Sequence, residues 1–290
     1  MELIYRYDPY QPVVIQHPQS PEEAVTTLLS GNRRLVTMID RMQHASIDGN
    51  GAGASEVIPV DLVSMGLPFM RGAALDQAPF ALVLGCSDAR VPIESVFDQS
   101  FNDLFAIRIA GNVLGTECIG SVDYAVRNFG KSLQAIVVVG HTGCGAVTAA
   151  VDTYLSPTAF TNIALTHPLR TLVDRIMIAV RAAANAFDRC FGHEFDKHPQ
   201  YRAALIHAAV YLNAAIAAYD LQREARSAMA ENVKAYYGVC DIGTMLVRDQ
   251  PPLVHTSDPH LSPAPRDAAS FMTLANEIVT AVVTLLEAEV

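Results

Sequence analysis

Two short apolar runs, Phe80 to Gly85 and Ala135 to Gly140, constrain the fold of this chain more than any other feature of it. Each is continuous rather than alternating and each ends in glycine, the pattern of a strand buried on both faces of a parallel sheet. A third run, Leu104 to Ile109, lies between them. Parallel neighbours cannot be joined by tight turns, so crossover helices are required. The expectation is therefore an α/β fold, with a mainly parallel central β-sheet flanked by helices.

Helical periodicity supplies those crossovers. Ser20-Pro21-Glu22-Glu23 offers an N-cap, a proline at the first helical position and acids in the first turn, and Val25, Leu28, Leu29 and Leu35 continue at helical spacing, so a helix is predicted over 20–43. Others are predicted at Ala146 to Tyr154, 169–188 and 203–234, with a last strand from Tyr236 to Arg248. The stretch 45–56 is rich in turn formers and reads as a mobile or inserted loop. Five prolines in 249–265 predict an extended linker, and Phe271, Leu274, Ile278, Val282 and Leu285 predict an amphipathic terminal helix. The chain divides on this reading into a main domain, 1–248, and a linker with its helix, 249–290.

Composition excludes some classes of function. The net charge of −10, from 20 basic and 30 acidic residues, argues against nucleic acid, whose phosphates are bound by Lys and Arg clusters. Apolar stretches fall short of the roughly 20 residues that span a bilayer, so no membrane partner is expected. Met1 to Pro12 lacks the apolar run of a targeting signal, which predicts a cytoplasmic protein. Hydrophobic residues make up 51% and charged ones 17%, below the roughly 25% charged that is typical, which points to self-association. Five cysteines at irregular spacing fit a metal site better than a disulfide framework.

The chemistry follows at once on the two strands. Cys86-Ser87-Asp88-Ala89-Arg90 succeeds the first run and His141-Thr142-Gly143-Cys144 the second, so both segments sit beyond the carboxyl ends of strands, where open α/β sheets bind ligands. Two thiolates and one imidazole close three corners of a tetrahedron around zinc and can leave the fourth for chemistry. Cys118, Cys190 and Cys240 have no partner at ligand spacing and read as buried small apolar residues; His193 and His198 read as solvated.

The paired motifs resemble the signature of the β-class carbonic anhydrases, and the likeness extends over roughly 20–248. Gly31-Asn32-Arg33-Arg34 resembles the family's N-terminal helix, Asp103-Leu104-Phe105 with Arg108-Ile109-Ala110-Gly111-Asn112 its second strand, and Tyr237 to Gly243 its final one. The resemblance implies Zn2+ held by Cys86, His141 and Cys144 with water or hydroxide fourth, and the reversible hydration of carbon dioxide to bicarbonate and a proton. It gives Asp88 the role of accepting the hydroxide's hydrogen bond and Arg90 that of holding Asp88, which otherwise can swing onto zinc. Gly145 opens a helix whose N-terminus favours a developing bicarbonate oxygen. Two thiolates offset the ion's charge, so activity favoured by alkaline conditions is expected.

The resemblance also implies a homodimer or higher oligomer, with the N-terminal helix packing on a second subunit. Gln77 stands where plant-type members carry a substrate-facing glutamine, Phe105 and Tyr124 where they wall the cleft, and Asn128 where many have a proton-moving histidine. Val83 replaces the tryptophan of the branch with a regulatory bicarbonate pocket, so the plant-type branch is favoured. Two alternatives share the site: hydrolysis of carbon disulfide or carbonyl sulfide, and a non-catalytic zinc-containing subunit that binds bicarbonate or serves assembly. Retention of Gln77, Asp88 and Arg90 weighs against the second.

Overall fold

The glycine-ended runs are strands in the computed structural model, which describes residues 2–7, 17–47, 55–60, 62, 66–67, 71–72, 74–159, 166–227, 232–252 and 258–288. In chain order the elements are β1 (Glu2–Tyr7), α1 (Pro21–Ile47), β2 (Ser55–Val60), β3 (Ala81–Gly85), α2 (Ile93–Val96), β4 (Leu104–Arg108), α3 (Thr116–Asn128), β5 (Ala135–His141) and α4 (Gly145–Leu155). There follow α5 (His167–Phe191), α6 (Tyr201–Ser227), β6 (Lys234–Cys240), β7 (Val247–Arg248), β8 (Ser262–Pro263) and α7 (Ala268–Ala288). The central sheet runs β4-β3-β5-β6-β7, parallel from β4 to β6, with β7 and β8 antiparallel to β6. β1 and β2 form a separate parallel pair.

Every residue of β3 and β5 is buried, as continuous apolar strands require. Their alternate side chains feed two cores. Leu82, Leu84, Ile136 and Val138 point into a large cluster built with α3 to α7, whereas Ala81, Val83, Ala135, Val137 and Val139 join a smaller one with α1 and α2. β3 connects to β4 through α2 on the second face, and β5 connects onward through α4 on the first. Strand order thus reverses between β3 and β5, and this is where a doubly wound sheet opens a crevice at its carboxyl edge.

α1 starts at a cap resembling a capping box: Ser20 Oγ accepts from the Glu23 N–H at 3.2 Å and Glu23 Oε2 accepts from the Gln19 N–H at 2.8 Å. Gly31 is required where α1 crosses the turn after α2, because a Cβ there would lie 1.7 Å from the Phe97 carbonyl oxygen. Beside it the fully buried Asn32 donates to the carbonyls of Val96 and Met245, both at 2.8 Å, and accepts from the Val247 N–H at 3.0 Å. One side chain so joins the helix to the loops after β3 and β6. From Thr37 to Ala45 no residue of α1 is buried.

Several expectations need correction. α1 runs through Ile47 and β2 begins at Ser55, so only 48–54 of the expected loop lies between them, outside the described residues. The helix expected to reach 234 stops at Ser227, and the last strand is not continuous to Arg248. Asp241 interrupts it: its carboxylate accepts from the N–H groups of Gly243 and Thr244, folding a turn in which Met245 takes a positive φ of 62°. The proline-rich stretch is stitched to the sheet through β8 and the buried Leu261. Cys118 and Cys240 are buried as expected, but Cys190 is exposed on the last turn of α5.

Two helices, α6 and α7, are long and apolar enough to cross a membrane, contrary to the expectation that no stretch approaches that length. Both belong to the larger core. α6 crosses the sheet, and α7 lays Ala275, Ile278, Val279 and Val282 against the cluster it shares with α5 and α6. Each of the three larger side chains, 0% exposed, contributes about 1.5–3 kcal/mol to holding the C-terminal helix there.

Candidate metal centre

Gly85 of β3 faces Val139 of β5 in the parallel ladder, so Cys86 leaves its strand beside the end of β5, where His141 is the last residue. Gly143, at φ +67°, turns the chain back, and Cys144 becomes the residue preceding α4. The thiols of Cys86 and Cys144 and a ring nitrogen of His141 consequently lie within 4.8 Å of one another. All three side chains are buried, at 6%, 2% and 1% exposure.

The donor set fits a metal. His141 Nδ1 lies 3.0 Å from the Thr142 carbonyl, which can only accept, so Nδ1 carries the proton and Nε2 the lone pair. Nε2 is buried and has no hydrogen-bond partner; Asp88 Oδ2, at 3.8 Å, is out of reach. An orphaned buried acceptor costs about 1–3 kcal/mol, and coordination relieves that cost. The neighbouring Cys144 thiol draws Cys86 far down towards thiolate, while the same contact and burial push Cys144 up. Two sulfurs and an imidazole suit Zn2+.

Backbone and side chains from three other elements fix these ligands. The Gly111 N–H donates to Cys86 Sγ at 3.3 Å. Arg108, at the end of β4, donates through Nε to the Cys86 carbonyl at 3.1 Å and through Nη2 to the Asp88 carbonyl at 2.6 Å. Thr142 donates from Oγ1 to Asp241 Oδ2 at 3.2 Å and accepts from the Ile242 N–H at 3.1 Å, so the turn after β6 steadies the carbonyl that orients His141. The family resemblance marks Arg108 and the 237–243 segment without assigning them this work. Their signal was there: a charge at a strand end and Asp-Ile-Gly-Thr after an apolar run.

At the mouth stand Asp88 and Arg90. Arg90 Nε and Nη2 meet Asp88 Oδ1 and Oδ2 at 3.0 and 2.7 Å, and the Arg90 N–H adds a third bond to Oδ1 at 3.0 Å. The guanidinium and then this N–H hold the Asp88 carboxyl well below the usual carboxylate range. Gly145 opens α4 with nothing within 4 Å of where a Cβ would be, and the Ala146 and Val147 N–H groups of that first turn face the Cys144 thiol.

The remaining candidates lie elsewhere within the single chain. Gln77 is exposed in the coil ahead of β3, at the opposite end of that strand from Cys86. Phe105 sits opposite Leu82 near the start of β4, and it forms an aromatic cluster with Tyr124 and Phe129 at ring separations of 5.7–6.3 Å. Tyr124 is 53% exposed on α3. Asn128 is exposed and donates to the Tyr124 carbonyl. His193 is ion-paired with Asp188 at the surface, and His198 stacks on Phe195.

Comparison with known proteins agrees with this geometry. The sequence model of the family described as carbonic anhydrase matches residues 81–235, which contain all three cluster residues. Carbonic anhydrase 2 of Mycobacterium tuberculosis is 36% identical over 132 residues, covering 46% of this chain and 53% of that protein. A carbonic anhydrase of Mycolicibacterium smegmatis is 41% identical over 111 residues, covering 37% and 49%. Beta carbonic anhydrase 6, mitochondrial, of Arabidopsis thaliana is 29% identical over 88 residues, covering 28% and 30%. Among solved structures, a β-carbonic anhydrase of Sordaria macrospora superimposes with a TM-score of 0.45 at 21% identity, covering 60% of this chain and 81% of that one. The chain belongs to the carbonic anhydrase family. It spans about half the length of the curated relatives it matches first.

Proposed function

We propose that this protein catalyses the reversible hydration of carbon dioxide to bicarbonate and a proton, using Zn2+ held by Cys86, His141 and Cys144. The observation that carries the reading is the buried cluster of two thiols and an imidazole whose Nε2 has no other partner, set at the switch point of the sheet. Zinc in such a site supplies Lewis-acid activation of water, taking its pKa from about 16 towards 7.

The protein's own groups have distinct tasks. Asp88, kept ionised by Arg90, can only accept a hydrogen bond, so it orients an attacking O–H with its lone pair towards the carbon of carbon dioxide. Arg90 also ties up both carboxylate oxygens, which holds Asp88 away from the metal corner. The Gly145 N–H, at the positive end of α4, favours the negative oxygen that develops as bicarbonate forms. Exposed carboxylates and buffer are left to carry off the proton, since Asn128 cannot.

The working unit is a dimer on this reading. Gln77, Phe105 and Tyr124 are too far along the fold to line their own chain's crevice, and a second copy would bring them to it. The exposed Tyr124, the unburied stretch Thr37 to Ala45 of α1 and the low charge content support that arrangement. Val83, buried in β3 where the other branch has tryptophan, supports a plant-type site.

Stopped-flow hydration of carbon dioxide, run beside metal analysis, tests the reading. A rate well above buffer with about one zinc per chain is expected. A fully loaded protein that turns over carbon disulfide but leaves carbon dioxide at the buffer rate would transfer the site to the hydrolase chemistry.

A further inference from the structure

Asn213 is the one asparagine in the Ala-rich central portion of α6, and at 7% exposure it is among the few buried polar residues described. Such a group is retained in a helix core only if its hydrogen bonds are worth more than an apolar replacement. Its Nδ2 donates to the Gly111 carbonyl at 2.8 Å, a contact that is itself buried. The N–H of that same Gly111 donates to Cys86 Sγ. One glycine is thus held on its acceptor side by a core helix and on its donor side by a metal-site thiol.

The turn that carries this glycine would not stay in place by itself. Gly111 and Asn112 both take positive φ, 67° and 46°, an arrangement costly for a residue with a side chain. A Cβ on Gly111 would lie 2.8 Å from Ile176 Cδ1 and 3.0 Å from Ala146 Cβ, so the turn is wedged between α5 and the first turn of α4. Asn112 fixes its own N–H to the Ile109 carbonyl at 2.9 Å, which closes the turn but does not aim the Gly111 N–H. The aim comes from the Asn213 carboxamide on the following carbonyl.

We infer that Asn213 is a positioning residue for the metal centre: acting through Gly111, it holds an N–H donor on Cys86 and so fixes that thiolate's direction and donor strength towards the ion. The inference rests on the zinc reading above. Hydrogen bonds one layer out from a metal commonly carry a tenfold to hundredfold effect on affinity.

The test uses the full-length protein with Asn213→Leu, close in size but without the donor, and Leu205→Val, a core change about two turns away on the same helix that makes no polar contact. Zinc affinity is measured by chelator competition, and the thiolate-to-metal charge-transfer band is recorded after cobalt substitution. Alkylation of Cys86 in the metal-free protein is followed by mass spectrometry. Asn213→Leu is expected to lose about tenfold in zinc affinity, to shift the cobalt band and to alkylate several-fold faster at Cys86, whereas Leu205→Val lowers stability and leaves all three unchanged. Should Asn213→Leu not fold, Asn213→Ser, which keeps a shorter donor, is expected to show the same changes at smaller size. Zinc affinity, cobalt band and alkylation rate that match wild type in either folded variant would overturn the inference. Wild type that takes up no zinc would overturn the zinc reading, and the alkylation rates alone would then decide the role of Asn213.

Discussion

The candidate site has two halves built on different principles. Cys86, His141 and Cys144 are buried, and the first two are tied by groups from elements remote in sequence: Cys86 by Gly111 and Arg108, His141 by Asp241 through Thr142. Asp88 and Arg90 stand at the mouth with side chains 19% and 58% exposed, and they hold chiefly each other. The buried half is rigid because the sheet and its loops enclose it. The outer half is held by a local ion pair in contact with water, where such contacts are individually weak. The difference teaches which half binds and which half tunes.

The largest effect that separates them is expected for Cys144→Ser. Zinc content should fall below about a tenth of wild type and carbon dioxide hydration by at least about 10³-fold, towards the buffer rate. Next comes metal removal. With zinc at about a thousand times its dissociation constant, the loaded protein should exceed the stripped one by about 4 kcal/mol in stability. Differential scanning calorimetry should show that increment in wild type and in Asp88→Asn, but not in Cys144→Ser.

Asp88→Asn should keep its zinc and lose about 10²-fold in kcat/KM, since the amide both donates and accepts and no longer enforces one orientation. Equal zinc loss in Asp88→Asn and Cys144→Ser would erase the distinction between the halves. The smallest of these effects belongs to the residue that spans them. Arg108→Gln, by releasing the carbonyls of both Cys86 and Asp88, should cost about tenfold in zinc affinity and in kcat/KM together. A change confined to one of the two would assign Arg108 to that half.

The buried half was the more legible in the sequence. Continuous apolar runs ending in glycine mark doubly buried strands, and thiol and imidazole at ligand spacing directly after them mark where a metal can sit. These are local signals. What held the ligands was not local: Asn32 reaching Val247, Arg108 reaching the Cys86 carbonyl, and Asp241 reaching Thr142 join segments whose separation carries no periodicity. The same holds for strands. Among the described residues β1 and β2 pair with each other alone, across α1, and neither has the apolar density that announced β3 and β5. Cys190 failed for a different reason, since its neighbours Phe187 and Phe191 suggest a core while its own turn faces out. Gln77, finally, was readable as a residue type but not as a place, because a strand's length separates it from the crevice of its own chain.

The pairing of Gly85 with Val139 has a further consequence, for assembly. Between β3 and β5 the chain must first leave to form β4 and α3 and then return, so the two cysteines and the histidine cannot meet in any partly folded state that lacks this long-range pairing. A slip of one residue between the two strands would turn their side chains to the wrong faces and carry Cys86 away from His141. On the zinc reading, only a correctly wound chain offers the ion three donors, so bound metal stabilises that topology over every other arrangement.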